Sequence, residues 1–509
     1  MPTSALDPRT AVAVPFAAAA VLRALQKTPL APLPHAPDGF LTGLSAALGL
    51  GLLFVLRGDP ARSPRRDALA ALGVLLVLML LATAASAAAQ DLPRRALFGA
   101  QVVPVSAEVR TRAGLPSEGG VLVGALTPGG PAAAADVRSG DVILAIDGAP
   151  VADPGAFVRA LKSGAGGTWT LTVRRGTDDV EVPFALQEAP RWTSPDYDVV
   201  YGTATTADGA RRRTIATRPH GAGPFPAVLL VGGVGCYSLD QSGGGSYAPY
   251  FDAFTDAGYV VLWVEKSGVG DSEGPPCPTI DFETELAGYR AALAALKADP
   301  AVDPDRVVVV GHSMGGLLGP LLAAETPVAG VAAVSTAGLP WFEYTLANTR
   351  RQLALGGVTP AEVDARMRDA IAANHAVFVE GRSPEAVVAE HPDWAEFFQL
   401  PQHVSYFQQV AGYDPGAVWA AADAPALLVA GGADFVTDPA EHERIAAVAN
   451  DVRPGTARYV LVPDLDHFGN RVPDAEGSLR AIQTGETLPV HDGLPRLLVE
   501  WADTLRPVR

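Results

Sequence analysis

The stretch Val307-Val308-Val309-Val310-Gly311-His312-Ser313-Met314-Gly315-Gly316 decides the fold of this 509-residue chain. Its four valines predict a buried parallel strand, and the apolar run that begins at Leu317 predicts a helix. The intervening Gly-x-Ser-x-Gly predicts a turn so tight that side chains at Gly311 and Gly315 would clash across it. We expect this turn to hold Ser313 at its tip, with the hydroxyl projecting from the sheet and a helix N-terminus beneath it.

A glycine cluster lies upstream of this turn. Ala227–Val231 predicts a central strand that ends in Gly232-Gly-Val-Gly-Cys236-Tyr237. Glycines let backbone N–H groups point at a developing negative oxygen, whereas an ordinary turn is the alternative interpretation. Because another strand follows one helix later, at Tyr259–Glu265, we favour an oxyanion hole formed by the N–H groups of Val234 and Met314.

Candidates for a catalytic acid and base follow two later apolar strands. The strand predicted at 425–431 precedes Asp434, and Asp438 is the alternative acid. The strand predicted at 458–463 precedes His467, the one histidine among nine that follows a late strand in this order. Four other histidines lie in segments with a helical pattern, where a solvated side chain is expected: His375, His391, His403 and His442.

The order of serine, acid and histidine, each placed after a strand, resembles that of the α/β-hydrolases. The resemblance covers residues 190–509 and implies an α/β fold with a doubly wound, mostly parallel sheet. It also implies acyl transfer to water, in which Ser313 attacks a carbonyl, His467 takes its proton and Asp434 orients the imidazole. This mechanism requires neither a metal ion nor an organic cofactor.

A helical pattern over about 337–421 interrupts the α/β repeat and is too long for a simple connection. It predicts a helical cap inserted over the active site. Its aromatic residues allow two interpretations: they line an apolar pocket for the substrate, or, for most of them, they form the core of the cap itself. These residues are Trp341, Phe342, Tyr344, Trp394, Phe397, Phe398, Tyr406 and Phe407.

Residues 96–187 contain a second recognisable module. The motif Gly140-Asp-x-Ile-x-x-Ile-Asp-Gly148, followed by a helix predicted over Pro154–Lys162, resembles a PDZ domain of the bacterial periplasmic-protease type. The resemblance implies that Phe98, Gly99 and Ala100 form a loop whose backbone N–H groups hold a peptide C-terminus, while the peptide adds as an extra strand. The alternative is a module that only packs against the enzyme.

Two apolar segments, at 40–56 and 68–89, mark the N-terminal region 1–95. The second is long enough to span a bilayer, and four arginines between the segments favour a cytoplasmic loop and a membrane anchor. The alternative is that 68–89 is a cleaved signal peptide. Either interpretation predicts a periplasmic or extracellular location for the rest of the chain, where a disulfide between Cys236 and Cys277 is permitted.

These patterns predict an extracytoplasmic serine hydrolase that cleaves carboxylic esters or other acyl bonds. A serine peptidase or aminopeptidase that uses the PDZ-like module to engage peptide ends is the first alternative, and a non-enzymatic binding protein on a hydrolase scaffold is the second. The net charge of −17 argues against nucleic acid as a partner.

Overall fold

The computed structural model of the protein describes residues 92–508 except 117, 163–165 and 241–244. The apolar segments predicted at 40–56 and 68–89 lie outside the described residues. Within the described part, no helix combines the length and the apolar character needed to cross a membrane.

A small antiparallel sheet with short helices comes first along the chain. Its elements are β1 (Ala96–Leu97), β2 (Ala100–Pro104), α1 (Ala107–Arg112), β3 (Val121–Leu126), α2 (Pro131–Ala134), β4 (Val142–Ile146), β5 (Ala149–Pro150), α3 (Pro154–Lys162), β6 (Thr168–Arg175), β7 (Asp178–Ala185) and β8 (Gln187–Glu188). The strand order is β2-β3-β4-β6-β7, with β5 beside β4, while β1 pairs with β8 separately. Strand β2 therefore lies at a sheet edge, as the resemblance to a PDZ domain requires.

The larger domain alternates strands with helices, is interrupted once, and then resumes. Its first half consists of β9 (Asp198–Thr205), β10 (Arg211–Arg218), β11 (Phe225–Val231), α4 (Ala248–Asp256), β12 (Val260–Val264), α5 (Phe282–Ala298), β13 (Val302–His312), α6 (Gly315–Glu325) and β14 (Gly330–Val334). The interruption is helical and consists of α7 (Trp341–Leu355), α8 (Pro360–Phe378), α9 (Pro384–Glu390), α10 (Val404–Val410) and α11 (Pro415–Ala421). The second half consists of β15 (Ala426–Gly431), α12 (Pro439–Val452), β16 (Ala457–Val462), α13 (Ala475–Thr484) and α14 (Gly493–Asp503).

The eight strands form one sheet in the order β16-β15-β14-β13-β11-β12-β10-β9. Strands β11 to β16 pair in parallel, whereas β10 pairs antiparallel with both β12 and β9. Helices cover both faces, since one apolar cluster joins the sheet to α5 and α6 and another joins it to α4 and α14. This architecture confirms the predicted doubly wound α/β-hydrolase fold with a helical cap. The valines at 307–310 are at most 4 % exposed, which explains their uninterrupted apolar run.

Parallel strands bring their carboxyl ends to one edge of the sheet, so loops that are distant in sequence meet there. Strand β13 lies in the middle of the sheet, and the loops after β11, β15 and β16 all open on the same edge. The cap, inserted after β14, supplies the wall that faces this edge.

Candidate active site

Ser313 occupies the strained turn between β13 and α6. Its backbone φ is 53°, a left-handed conformation that residues with a side chain rarely adopt. A Cβ on Gly311 would clash with the backbone of Gly315, and one on Gly315 would clash with the carbonyl of Val231. The predicted tight turn is therefore confirmed, and both glycines are required by close backbone contacts.

His467 and Asp434 reach the serine from two other strand ends. His467 Nε2 lies 3.2 Å from Ser313 Oγ, and its Nδ1 lies 2.9 Å from Asp434 Oδ2. The buried Asp434 also accepts hydrogen bonds from the N–H groups of Val436 (2.7 Å) and Thr437 (2.8 Å) and from the hydroxyl of Thr437 (2.6 Å). Burial alone raises the pKa of Asp434, but His467 and the bonds from Thr437 outweigh it and hold the pKa well below its ordinary value. The structure thus brings together an ionised carboxylate, an imidazole and a hydroxyl.

The alternative acid, Asp438, caps a helix instead. Its carboxylate accepts a hydrogen bond from Ala440 N at 2.9 Å at the start of α12. The cap residue Arg351 lies 3.7 Å from this carboxylate and donates to the carbonyl of Asp434. Helix α7 of the cap is therefore tied to the loop that carries Asp434.

Asp466 shapes the loop that presents His467. Its side chain is buried and accepts hydrogen bonds from the N–H groups of Phe468 (2.9 Å) and Asn470 (2.7 Å) and from the hydroxyl of Ser478 (3.2 Å). The sequence pattern did not reveal this role, although aspartate is a typical turn-forming residue.

The glycine-rich loop after β11 lies against the nucleophile. A Cβ on Gly233 would come 3.1 Å from Ser313 Cβ, and Gly233, Val234 and Met314 line the same cavity as the serine. The N–H groups of Val234 and Met314 donate no hydrogen bond to any other described residue. Both predicted donors are therefore available beside Ser313.

His312, within the turn itself, links two loops of the site. Its Nε2 lies 2.7 Å from the carbonyl of His467, and its Nδ1 lies 2.9 Å from the hydroxyl of Tyr247. Burial, with the neighbouring His467, lowers the pKa of His312 to about 4, so the ring is neutral near pH 7. A neutral imidazole that donates from Nε2 accepts at Nδ1, which matches these two contacts. No pattern in the sequence indicated the contact between His312 and Tyr247.

One prediction about the other histidines is wrong. His442, expected to be solvated, is fully buried, and its Nε2 accepts a hydrogen bond from Thr336 N at 2.8 Å. Burial lowers its pKa to about 4. The helix predicted around His442 is present, but tertiary packing decides which face of α12 lies against the loop after β14.

A cavity of about 740 Å³ opens onto Ser313 and His467 beneath the cap. No Asp, Glu, Lys or Arg is among the described residues that line it. Among the described cap aromatics, four line the cavity, Trp341, Tyr344, Phe407 and Tyr413, and the others lie outside it. One strip of polar side chains comes from α7: Thr345, Asn348 and Thr349. The cavity therefore suits a largely apolar substrate.

Cys236 and Cys277 form a disulfide. Cys236 follows Val234 by two residues, and Cys277 begins the short turn Cys277–Thr279. The bond therefore ties the candidate oxyanion loop to the segment that precedes α5.

The predicted carboxylate loop of the PDZ-like domain precedes edge strand β2. Phe98 is buried in the core of this domain, Gly99 has a left-handed φ of 77°, and Ala100 begins β2. A second cavity, of about 690 Å³, lies between β2, α3 and the hydrolase loop after β12. Lys162, at the end of α3, donates to the carbonyl of Gly268 in that loop. The hydrolase domain thus supplies one wall of this groove.

The sequence matches two known domain families. The pattern of the alpha/beta hydrolase family matches residues 220–476, and that of the PDZ domain matches residues 122–175. The first match contains Ser313, Asp434 and His467.

Individual relatives match parts of the chain. Esterase EstD of Thermotoga maritima is 26% identical over 230 residues, which are 45% of this chain and 51% of the esterase. A probable periplasmic serine endoprotease DegP-like of Brucella suis is 34% identical over 97 residues, 19% of each chain. The chain thus spans about half the length of the first relative and a fifth of the second. Among solved structures, the esterase Pf2001 of Pyrococcus furiosus aligns with a TM-score of 0.38 and 16% identity, over 63% of this chain and 98% of that one.

Proposed function

The chain belongs to the α/β-hydrolase family, and from this premise we propose that it is a serine hydrolase that cleaves carboxylic esters. One observation carries the proposal: the hydrogen-bond distances that run from Ser313 Oγ through His467 to Asp434 at the wall of an apolar cavity. The matched relative that is named an esterase supports the same reaction.

In the proposed mechanism, His467 Nε2 takes the proton of Ser313 Oγ as the oxygen attacks the ester carbonyl. The Asp434 carboxylate keeps the proton of neutral His467 on Nδ1 and stabilises the imidazolium that forms. The N–H groups of Val234 and Met314 donate to the oxyanion of the tetrahedral intermediate. His467 then protonates the leaving alcohol, and water activated by the same ring releases the acid from the acyl-enzyme.

The cavity supports esters over substrates with a free amino terminus. An aminopeptidase needs a carboxylate to pair with the substrate ammonium, and no described Asp or Glu lines the catalytic cavity. Aromatic and aliphatic side chains from the cap and from the loops favour an apolar acyl or alcohol group, and the polar strip on α7 favours one hydrogen-bonding group within it.

A second function, peptide cleavage, is favoured by the PDZ domain. Edge strand β2 can pair with an incoming extended peptide, and its C-terminus would be held by the backbone at Phe98, Gly99 and Ala100. The relative that matches over 97 residues is named a probable serine endoprotease. Under this alternative the PDZ domain selects the substrate, whereas in the esterase it is a docking module.

We also propose that the enzyme acts outside the cytoplasm. The apolar segments at 40–56 and 68–89 support export or membrane anchoring. The disulfide between Cys236 and Cys277 supports an oxidising compartment. Digestion by an added protease tests this location. Cleavage is expected while the cytoplasmic membrane is intact, and protection until that membrane is opened would contradict the proposal.

A substrate panel tests the reaction. The full-length protein and Ser313→Ala should be compared on p-nitrophenyl esters of increasing acyl length and on aminoacyl and peptidyl p-nitroanilides. We expect ester hydrolysis that is lost in Ser313→Ala, with anilides uncleaved. Serine-dependent anilide cleavage at a comparable rate would establish the peptidase instead. Absence of all turnover and of labelling by a fluorophosphonate would indicate a non-enzymatic binding protein.

A further inference from the structure

The proposed oxyanion hole depends on the orientation of one peptide group, between Gly233 and Val234. A trans peptide is planar, so its C=O and its N–H point in opposite directions. Whatever holds the carbonyl of Gly233 therefore also aims the N–H of Val234. On its other side, the same loop lies against Ser313.

A buried lysine holds that carbonyl. Lys266 Nζ donates to the oxygen of Gly233 at 2.6 Å, and the hydroxyl of Tyr237 is a second, longer donor at 3.4 Å. The ammonium also lies 2.8 Å from Glu285 Oε1, and both side chains are only 1 % exposed. A buried ammonium is costly unless it is paired. Glu285 offsets the charge of Lys266, and the ammonium still donates to the carbonyl of Gly233. The start of the loop is fixed as well, because the N–H of the Val231–Gly232 peptide donates to Tyr289 Oη at 3.2 Å.

We propose that Lys266 is a positioning residue for ester hydrolysis, a role that rests on the function proposed above. Its ammonium binds the carbonyl of Gly233 and thereby directs the N–H of Val234 towards the oxygen that becomes negative. A cation on the carbonyl also polarises the peptide group, which makes the N–H a stronger donor as charge develops. The effect is therefore larger in the transition state than in the substrate complex, and it acts on kcat more than on KM.

A merely structural role for the Lys266–Glu285 pair makes a different prediction. If the pair only fills the space between β12 and α5, its replacement changes thermal stability and has no selective effect on tetrahedral species. The test therefore compares two matched inhibitors, an apolar trifluoromethyl ketone, which Ser313 converts to a charged hemiketal, and the methyl ketone of the same chain, which stays planar.

The variant is Lys266→Met with Glu285→Gln, so that no unpaired charge is left buried. In the full-length protein we expect kcat on a p-nitrophenyl ester to fall about 10²-fold with KM within about 3-fold, since removing one oxyanion donor costs about 10²–10³. Affinity for the trifluoromethyl ketone should fall in parallel, and affinity for the methyl ketone should not change. Lys297→Met is the matched control, because Lys297 also donates to backbone carbonyls but lies far from the sheet edge that holds Ser313, and it should retain wild-type kcat.

Lys266→Arg provides the second variant, since it keeps the charge beside Glu285 and does not depend on the folding of the double variant. It should show a smaller kcat loss, again matched by the trifluoromethyl ketone alone. Equal loss of affinity for both ketones, or kcat within 3-fold of wild type in a folded double variant, would overturn the proposal for Lys266. A wild-type protein without Ser313-dependent ester hydrolysis would instead refute the proposed function, and this inference with it.

Discussion

Replacing Asp434 by asparagine should lower kcat for ester hydrolysis about 10⁴-fold and leave the fold intact. Oδ1 of Asp434 accepts from the N–H groups of Val436 and Thr437, at 2.7 and 2.8 Å. Oδ2 faces the Thr437 hydroxyl and His467 Nδ1, at 2.6 and 2.9 Å. An asparagine that keeps its oxygen on the two backbone donors must present its NH₂ group to His467.

That NH₂ group only donates, so His467 must accept at Nδ1 and carry its proton on Nε2. Nε2, at 3.2 Å from Ser313 Oγ, then donates to the hydroxyl and cannot take its proton. The loss comes from the wrong tautomer and not from a displaced ring. A 10⁴-fold fall in kcat corresponds to about 5 kcal/mol of transition-state stabilisation.

The assay is the initial rate on a short-chain p-nitrophenyl ester between about pH 6 and 9, with the thermal midpoint measured by circular dichroism. Asp438→Asn is the control, because Asp438 caps α12 through Ala440 N at 2.9 Å and should keep kcat near the wild-type value. Retention of a tenth or more of wild-type kcat by Asp434→Asn, or a larger loss in Asp438→Asn, would refute this assignment of the acid.

Two further predictions concern stability. Burial raises the pKa of Glu265 from 4.5 to about 7, so the folded state binds this proton more tightly than the unfolded chain. The protonated carboxyl therefore stabilises the folded state fully below about pH 4.5, and this stabilisation is lost as the pH rises through 7. Glu265→Gln keeps the acceptor for Ser238 and Leu239 but does not titrate. In urea titrations, the free energy of unfolding of the variant relative to wild type should therefore rise by up to about 3 kcal/mol between pH 5 and 8. A difference between the two proteins that does not change with pH would contradict the raised pKa. Replacing Cys236 and Cys277 by serine should lower the free energy of unfolding by about 4 kcal/mol, because the bond closes a loop with a separation of 41 residues. A reductant should reproduce this loss in the wild type and have no effect on the variant, and an equal effect on both would show that the bond is not its cause.

The sequence alone determined the strand–turn–helix around Ser313 and the order of the strands that follow it. These features are local: an uninterrupted valine run indicates a buried strand, and glycines on either side of the serine indicate a tight turn. The same local patterns placed Asp434 and His467 each a few residues after a strand. Parallel strands share one carboxyl edge, so the sequence already predicts that these two residues meet Ser313.

Contacts between segments that are distant in sequence were decided only by the tertiary structure. Lys266, at the start of the loop after β12, reaches both Gly233 and Glu285. Tyr247 meets His312 across 65 residues, and His442 is buried against Thr336 across 106 residues. None of these pairs has a periodic or short-range signal, because each depends on how two helices or loops pack on the finished sheet. The direction of the Val234 N–H, and with it the shape of the oxyanion hole, is likewise decided only by the tertiary structure.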